Sequence, residues 1–420
     1  CGAESGWVPV TASSPTIYVT QIETQRRAKS NNIPAILKAP GFDEKKEDTT
    51  FDNTQATHTD KEILTGMKDE MKREMDSLVI SGSPLPFYMS YIATRFKSFN
   101  IKAELGGINY SYVTPWDMQG STQVLVGTFK RNSELQLGQY VKSGIQAAST
   151  YDVVRRAFWM GSDNGYKYNL NTYAQKMNYL NSNPLPAAIE KIPDMQRMAP
   201  VTDIQPSYAF DINETKLKDI VCQVSAVFKD FKDLTNTSAT IEGAYDDTYR
   251  VTSENVNLKQ PHSYAKLKVK ATLNLSDGSR QQDGFTLVFN TPDEIPSAET
   301  LMAKTRKFAE DFVALKDVAV LDDTYKGPVM FEDMAAVYPF TENLLTTNKL
   351  YAKVMLAPND KALGKKIGKK ILDPRIDISN YTSLPEYKGN KLIGAYSIDA
   401  DGIKPEAEMN IVEKGVLKQI

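Results

Sequence analysis

The stretch that decides the fold is residues 214–231, ETKLKDIVCQVSAVFKDF, which has the clearest amphipathic pattern in the 420-residue chain. Its apolar residues recur every three or four positions, the spacing of one face of an α-helix. They are Leu217, Ile220, Val221, Val224, Val227, Phe228 and Phe231. Asn213 precedes the stretch, and its side-chain oxygen can accept a hydrogen bond from a free amide of the first turn. The sequence therefore predicts a helix that starts after Asn213 and buries one face.

Strand-like segments follow this helix. Residues 237–259, 263–278 and 284–290 are rich in aromatic and β-branched side chains and are separated by turn residues, which favours a ladder of strands. A second helical pattern comes near 298–315. The order is thus helix, strand ladder, helix.

The same order is predicted earlier in the chain. Thr59 and Glu62 have the spacing of a capping box, in which two side chains satisfy free amides at a helix start. The apolar stripe that follows is Ile63, Leu64, Met67, Met71, Met75 and Leu78. Residues 84–137 are strand-like, and 149–181 return to helical spacing. Turns within the strand-like part are expected at 106–107 and 117–120.

These patterns predict an α+β fold with a duplicated helix–antiparallel-sheet region. We expect an N-terminal domain over 59–316, with an internal repeat of 59–182 and 213–316. Residues 183–212 contain five prolines and no clear period, which predicts a linker.

The two ends of the chain have a different character. Residues 1–58 are polar and are expected to be a tether or loosely ordered. Residues 317–420 are expected to start a β-rich domain, with paired strands around turns at 401–402 and 414–415. The chain stops within a strand-like pattern, so we expect further sequence after Ile420.

The bulk composition excludes some classes of protein. The formal net charge of −2 gives no global argument for nucleic-acid binding, which calls for a strongly basic surface. The sequence contains no apolar run of about 18 residues, the length that spans a bilayer.

The first residue suggests processing. Cys1 followed by Gly2, Ala3 and a polar stretch resembles a mature bacterial lipoprotein whose signal peptide was removed at the lipid-carrying cysteine. This predicts an exported protein, anchored by lipid in the cell envelope and either periplasmic or associated with the outer membrane. The alternative is a boundary chosen by an experimenter.

The short supply of histidine and cysteine limits the chemistry. His58 and His262 are the two histidines, and neither an HExxH nor a CxxC motif is present. A Ser-His-Asp system would need His58, in the polar tail, or His262, which follows a proline and is better interpreted as a turn residue. Cys222 is expected to be buried and inert. The basic run 364–370, with Lys361, is better explained by a solvated loop than by nucleic-acid binding.

Carboxylates remain as candidates. Asp322-Asp323 and Glu332-Asp333 could converge on a cation, although adjacent carboxylates in loops are usually hydrated. Glu332 lies where a strand-like segment passes into an apolar helix. It is either a general base or a carboxylate that stabilises the helix start.

Two segments resemble a known family. Residues 320–340, VLDDTYKGPVMFEDMAAVYPF, and 399–420, DADGIKPEAEMNIVEKGVLKQI, resemble motifs of TldD/PmbA proteins, also called modulators of DNA gyrase. Residues 86–91, PFYMSY, and 249–261, YRVTSENVNLKQP, are similar to a secreted branch of that family. Asn255 stands where a glycine is usual there.

The resemblance extends from about residue 60 to 420 and implies a metallopeptidase-like fold. Active members carry an HExxxH helix and a late cysteine ligand, and often work with a sister subunit that lacks the ligands. The first histidine position falls on Phe331, the glutamate on Glu332 and the second histidine on Ala336. Neither a phenyl ring nor a methyl group can bind zinc. We therefore expect packing at Phe331 and Ala336, no metal of the chain's own, and a helix-start role for Glu332.

The expected function is a TldD/PmbA-type subunit that has no zinc site and binds peptide or unfolded protein, or serves a structural role, in proteolysis. Zinc would come only from a partner. The expected assembly is a homodimer, or a heterodimer with a zinc-bearing TldD-like subunit, without nucleic acid and with membrane contact only through the lipid. One alternative is a non-catalytic binding or scaffold lipoprotein. Another is an active peptidase with an atypical metal site that uses Glu332.

Overall fold

Three strands of 19 residues each organise the structure. The structure is a computed structural model that describes the following residues: 58–135, 140–145, 150–185, 187–209, 211–275, 277–318, 324–331, 333–345, 353–354, 357–358 and 363–419. The predicted N-terminal tether, apart from His58, lies outside this range.

The first half of the sheet region begins and ends with a helix. Its elements are α1 (His58–Ser77), β1 (Pro86–Glu104), β2 (Gly107–Val113), β3 (Asp117–Val126), β4 (Val141–Ile145) and α2 (Tyr151–Ser182). The short α3 (Ala187–Glu190) and β5 (Val201–Ile204) follow. The second half has the same order of elements: α4 (Glu214–Ala226), β6 (Leu234–Thr252), β7 (Val256–Asn274), β8 (Arg280–Phe289) and α5 (Ala298–Ala314). The predicted α+β class is confirmed.

All of these strands form one sheet of eight. The main order is β4-β3-β1-β6-β7-β5, with β2 beside the end of β1 and β8 beside the end of β7. Every pairing is antiparallel except that of β5 with β7. The β1–β6 ladder runs without a shift from the pair Ser90–Thr252 to the pair Ala103–Ala239.

Beyond a register shift between Thr235 and Ser238 of β6, alternation along the long strands gives the sheet two different faces. Odd-numbered residues of β1, β6 and β7 point toward the helices, as shown by the buried Tyr91, Ile241 and Leu267. The even-numbered residues of these strands form the other side, which we call the open face. Both helix pairs therefore cover the same side of the sheet.

The helix side contains two apolar cores with no residue in common. The α1–α2 core joins the methionine stripe of α1 to the first half of β1, and includes Met67, Met89 and Phe158. The α4–α5 core joins α4 and α5 to the second half of β1 and to β6 and β7, and includes Val221 and Phe312. Asn213 caps α4 as predicted, because its Oδ1 accepts a hydrogen bond from the Lys216 amide at 3.0 Å.

A buried ionic cluster at the edge of the α1–α2 core joins α1, β6, β7 and the segment after β5. The Lys259 ammonium donates to Asp60 at 3.1 Å and to Ser207 Oγ at 2.8 Å. Tyr249 Oη donates to the other Asp60 oxygen at 2.7 Å, and Ser207 Oγ donates to Asp247 at 2.8 Å. Each group has a partner within the cluster, and the two hydrogen bonds to Asp60 fix α1 on the sheet.

The region after α5 contains short elements. They are α6 (Asp333–Phe340), β9 (Lys353–Val354), β10 (Ala357–Pro358), β11 (Ile378–Asn380), β12 (Glu386–Tyr387), β13 (Asn390–Lys391), β14 (Met409–Glu413) and β15 (Val416–Leu417). The turn predicted at Lys414-Gly415 joins β14 to β15, with φ of 47° and 74°.

The turn at Asp401-Gly402 does not join paired strands, which is a correction. Asp399 Oδ1 instead accepts hydrogen bonds from the amides of Asp401 and Ile403, at 2.9 and 2.8 Å. The turn packs on the open face, where the buried Arg250 donates to Asp401 at 3.1 Å. The turn thus anchors the C-terminal region to the sheet.

Other local expectations also need correction. Residues 117–120 form the start of β3 rather than a turn, because β2 and β3 run in the same direction along β1, with Val113 opposite Phe99 and Asp117 opposite Phe96. The predicted linker 183–212 contributes β5, which β7 holds by parallel pairing. Thr59 lies inside α1 rather than capping it, because the helix already includes His58. None of the described helices is both long enough and apolar enough to cross a bilayer.

Replacing Lys259 with Met should destabilise the fold. The change leaves Asp60 and Asp247 buried without their cation, and breaking a buried pair in this way typically costs about 3–5 kcal/mol. Urea unfolding at pH 7 measures the difference. The matched control is Lys270→Met, an exposed lysine on the same strand, which should stay within about 0.5 kcal/mol of the parent. Equal stability of the two variants would contradict the role given to the cluster.

Replacing Gly402 with Ala should weaken the docking of the 399–403 turn. Gly402 has φ of 84°, and an added Cβ would lie 2.8 Å from Val256 Cγ1. Gly278→Ala is the control because Gly278 has φ of 82° but open space around it. The free energy of unfolding should fall by about 1–3 kcal/mol more in the Gly402 variant than in the control. It should also be cleaved faster near residue 400 in limited proteolysis, whereas equal losses would argue against tight packing of this turn.

Candidate functional site

The motif that carries the family resemblance forms an exposed loop and a short helix. Residues 324–331 are irregular rather than strand-like, and α6 begins at Asp333. Phe331 is 56% exposed and Ala336 is half-buried, so the expected packing of the phenyl ring is not seen in the described part of the chain. Glu332 lies outside the described residues, and its helix-start role stays a prediction.

The residues of this motif do not fit a zinc ion. Zinc takes its ligands from nitrogen, thiolate sulfur or carboxylate oxygen. Phe331 and Ala336 supply none of these atoms. Within the described ranges, no group of three His, Cys, Asp or Glu side chains is placed to hold a metal. The two positions that the motif assigns to histidine therefore contribute no zinc ligand.

Several of the other candidate carboxylates and cations lie outside the described residues. Asp322 and Asp323 lie outside the described residues, as do Lys361 and Cys1. The basic run 364–370 is exposed from residue 365 onward, which agrees with a solvated loop.

The two histidines are not brought together. His262 lies within β7 rather than in the predicted turn, on the open face, and is 57% exposed. Its Nδ1 lies 3.1 Å from Asp246 Oδ1. His58 is the first described residue of α1, which packs on the opposite side of the sheet. The two histidines therefore belong to elements on opposite sides of the sheet.

Cys222 is half-buried on α4 against the α4–α5 core. Burial raises the pKa of its thiol, and the nearby Asp219 raises it further. A raised pKa disfavours the reactive thiolate. The prediction of an inert cysteine is therefore supported.

A pair of buried glutamates between α1 and α2 was missed by the sequence reasoning. Glu70 and Glu74 are four residues apart, and both contact Arg73. Arg155 of α2 donates to Glu70 at 3.0 Å. Burial raises the pKa of Glu74 to about 7, with Arg73 opposing the rise and Glu70 adding to it. The sequence signal was available, because both residues lie one turn apart beside the apolar stripe of α1.

The Glu74 carboxyl should make stability depend on pH. Its pKa is about 7 in the fold and 4.5 in the unfolded chain, so its stabilising contribution is complete below pH 4.5 and is lost as pH rises through 7. Glu74→Gln mimics the protonated form. At pH 8 the free energy of unfolding of this variant should exceed that of the parent by about 1–3 kcal/mol, since one pKa unit corresponds to about 1.4 kcal/mol.

Urea unfolding at pH 5 and pH 8 measures this difference, and the two proteins should be similar at pH 5. Asp76→Asn at the end of α1, which removes an exposed carboxylate, controls for charge alone. A constant gap between Glu74→Gln and the parent at both pH values would show that Glu74 does not titrate in this range.

Comparison with solved structures shows which fold this is. A "putative modulator of a DNA gyrase" from Thermotoga maritima is similar over 84% of this chain and 69% of its own, with a TM-score of 0.53 and 9% identity. TldE from Thermococcus kodakarensis is similar over 84% of this chain and 69% of its own length, with a TM-score of 0.52 and 10% identity. A "putative modulator of DNA gyrase" from Bacteroides thetaiotaomicron is similar over 86% of this chain and 72% of its own length, with a TM-score of 0.52 and 12% identity.

The chain therefore has the fold of the TldE-like modulators of DNA gyrase, and the resemblance inferred from the motifs is confirmed at the level of the fold. No protein-family model matches the sequence. No curated protein matches it either.

Proposed function

We propose that this chain is a metallopeptidase-related subunit of the TldD/PmbA type that has no zinc site of its own and binds peptide, or gives structural support, in proteolysis. The observation that carries the proposal is the joint occurrence of the TldE-like fold with Phe331 and Ala336 at the two histidine positions of the motif. A conserved scaffold without ligands suits a sister subunit. Zinc would then be supplied by a TldD-like partner in a heterodimer, with a homodimer as the other arrangement.

The proposed setting is the bacterial cell envelope, with Cys1 as the lipid-bearing residue. An exported protein would act on peptides or unfolded chains outside the cytoplasm. The proposed function does not include DNA binding, because the formal net charge of −2 gives no global argument for it.

Metal analysis and a peptide assay test this function together. Protein purified after growth with zinc should contain far less than one zinc per chain. It should bind fluorescein-labelled unfolded casein, detected by fluorescence anisotropy, and should leave the casein intact. The double variant Phe331→His/Ala336→His restores two nitrogen ligands around Glu332 and should take up zinc.

The control is Met330→His/Ala335→His, which has the same spacing shifted by one residue relative to Glu332. It should bind zinc more weakly than the restored motif. Stoichiometric zinc in the parent protein, lost in Glu332→Gln, would establish the atypical metallopeptidase instead. Absence of casein binding would remove the peptide-binding role and favour a scaffold.

A further inference from the structure

Three lysines of the described chain are almost completely buried. Lys176 and Lys266 are each 3% exposed, and Lys259 is fully buried. Lys176 donates to Asp194 at 2.6 Å, and Lys259 donates to Asp60 at 3.1 Å. Lys266 forms neither an ion pair nor a hydrogen bond with any of the described residues. Buried lysines are normally paired because an unpaired buried charge is costly.

The surroundings of Lys266 explain why it is left without a partner. It lies on the open face of β7, opposite Glu242 of β6 and Val288 of β8. The Glu242 carboxylate is taken by Lys268, whose Nζ lies 2.5 Å from Glu242 Oε1. Lys266 itself contacts the Tyr264 ring, whose centre lies 4.8 Å from Lys266 Nζ. A ring face attracts a cation but does not accept its protons as a carboxylate does.

This part of the open face carries three lysines of β7, Lys266, Lys268 and Lys270, and Glu242 pairs with only Lys268. The Tyr264 hydroxyl likewise has no hydrogen-bond partner in the described part of the chain. The Lys266 ammonium therefore lies over the ring of Tyr264, and neither the ammonium nor the Tyr264 hydroxyl has an acceptor among the described residues.

We propose that Lys266 and Tyr264 bind a carboxylate of an extended peptide laid across the open face. A carboxylate has one negative charge and two acceptor oxygens, which matches one unpaired ammonium and one hydroxyl. Glu242 nearby disfavours a doubly charged phosphate. The carboxylate is either the peptide C-terminus or an Asp or Glu side chain. This inference rests on the proposed peptide-binding function.

The electrostatics agree with the geometry. Burial lowers the pKa of the Lys266 ammonium, Glu242 raises it, and Lys268 lowers it again. Val288, on the other neighbouring strand, has no charge. A bound carboxylate would stabilise the ammonium and raise its pKa.

Three acetylated hexapeptides of alternating Ser and Val separate the two sources of the carboxylate. One has a free C-terminus, one has an internal Glu and an amidated end, and one is amidated and neutral. Affinities for the parent protein, Lys266→Met and Lys270→Met are measured by calorimetry. We expect Lys266→Met to weaken one or both acidic peptides about 10- to 100-fold, since hydrogen bonds to charged groups contribute in that range. The neutral peptide should be unaffected, and so should every peptide with Lys270→Met.

Folding of the variant is checked by its melting temperature. Removing an unpaired buried charge should leave the melting temperature of Lys266→Met equal to or above that of the parent, whereas Lys259→Met should lower it. Unchanged affinity of both acidic peptides for Lys266→Met would overturn the inference while leaving peptide binding established.

If none of the peptides binds, the proposed function fails but the carboxylate site can still be tested. Protein labelled with [13Cε]lysine is titrated with and without acetate, and the Lys266 resonance is assigned from its loss in Lys266→Met. An increase in the Lys266 pKa with acetate, absent for Lys270, would support the site. No change in that pKa would overturn it.

Discussion

The structure depends on the pairing of three long strands along nearly their whole length. β1, β6 and β7 form ladders that keep one register through most of the sheet, apart from a shift near the start of β6. Because side chains alternate along a strand, this register places every helix-facing residue of the three strands on one side. The four long helices consequently pack on that side, and the C-terminal region has the opposite side available for its anchoring turn at Asp401.

Regular local patterns were predictable, whereas non-local partners were not. The helices followed from apolar spacing of three and four residues, and the turn at Lys414-Gly415 followed from its residue types. Asn255 has φ of 61°, which explains in physical terms why the family has glycine at that position. β5 was missed because four residues have no readable period and it is held by distant β7. Likewise, Lys259 and Asp60 are 199 residues apart, and no local pattern reports such a pair.

The candidate site also contains residues that could be predicted from the sequence and residues that could not. The sequence identified Phe331 and Ala336 as replacements for ligands, a conclusion that depends on atom types and needs no coordinates. It did not distinguish Lys266 from Lys268 and Lys270, since alternating lysines on a strand resemble a solvated face. Burial and the engagement of Glu242 by Lys268 separate the three, and both are properties of the assembled sheet.

The division of the helix side into two cores affects how the protein can change over time. Substitutions that share no contacts usually have additive effects on stability. A repacking in the α1–α2 core therefore needs no compensating change in the α4–α5 core, and each half can diverge at its own pace. Such freedom suits a fold that is shared with structural neighbours at only 9–12% identity. Lys259 and its partners, which tie α1 to β6 and β7, are where that freedom should be smallest.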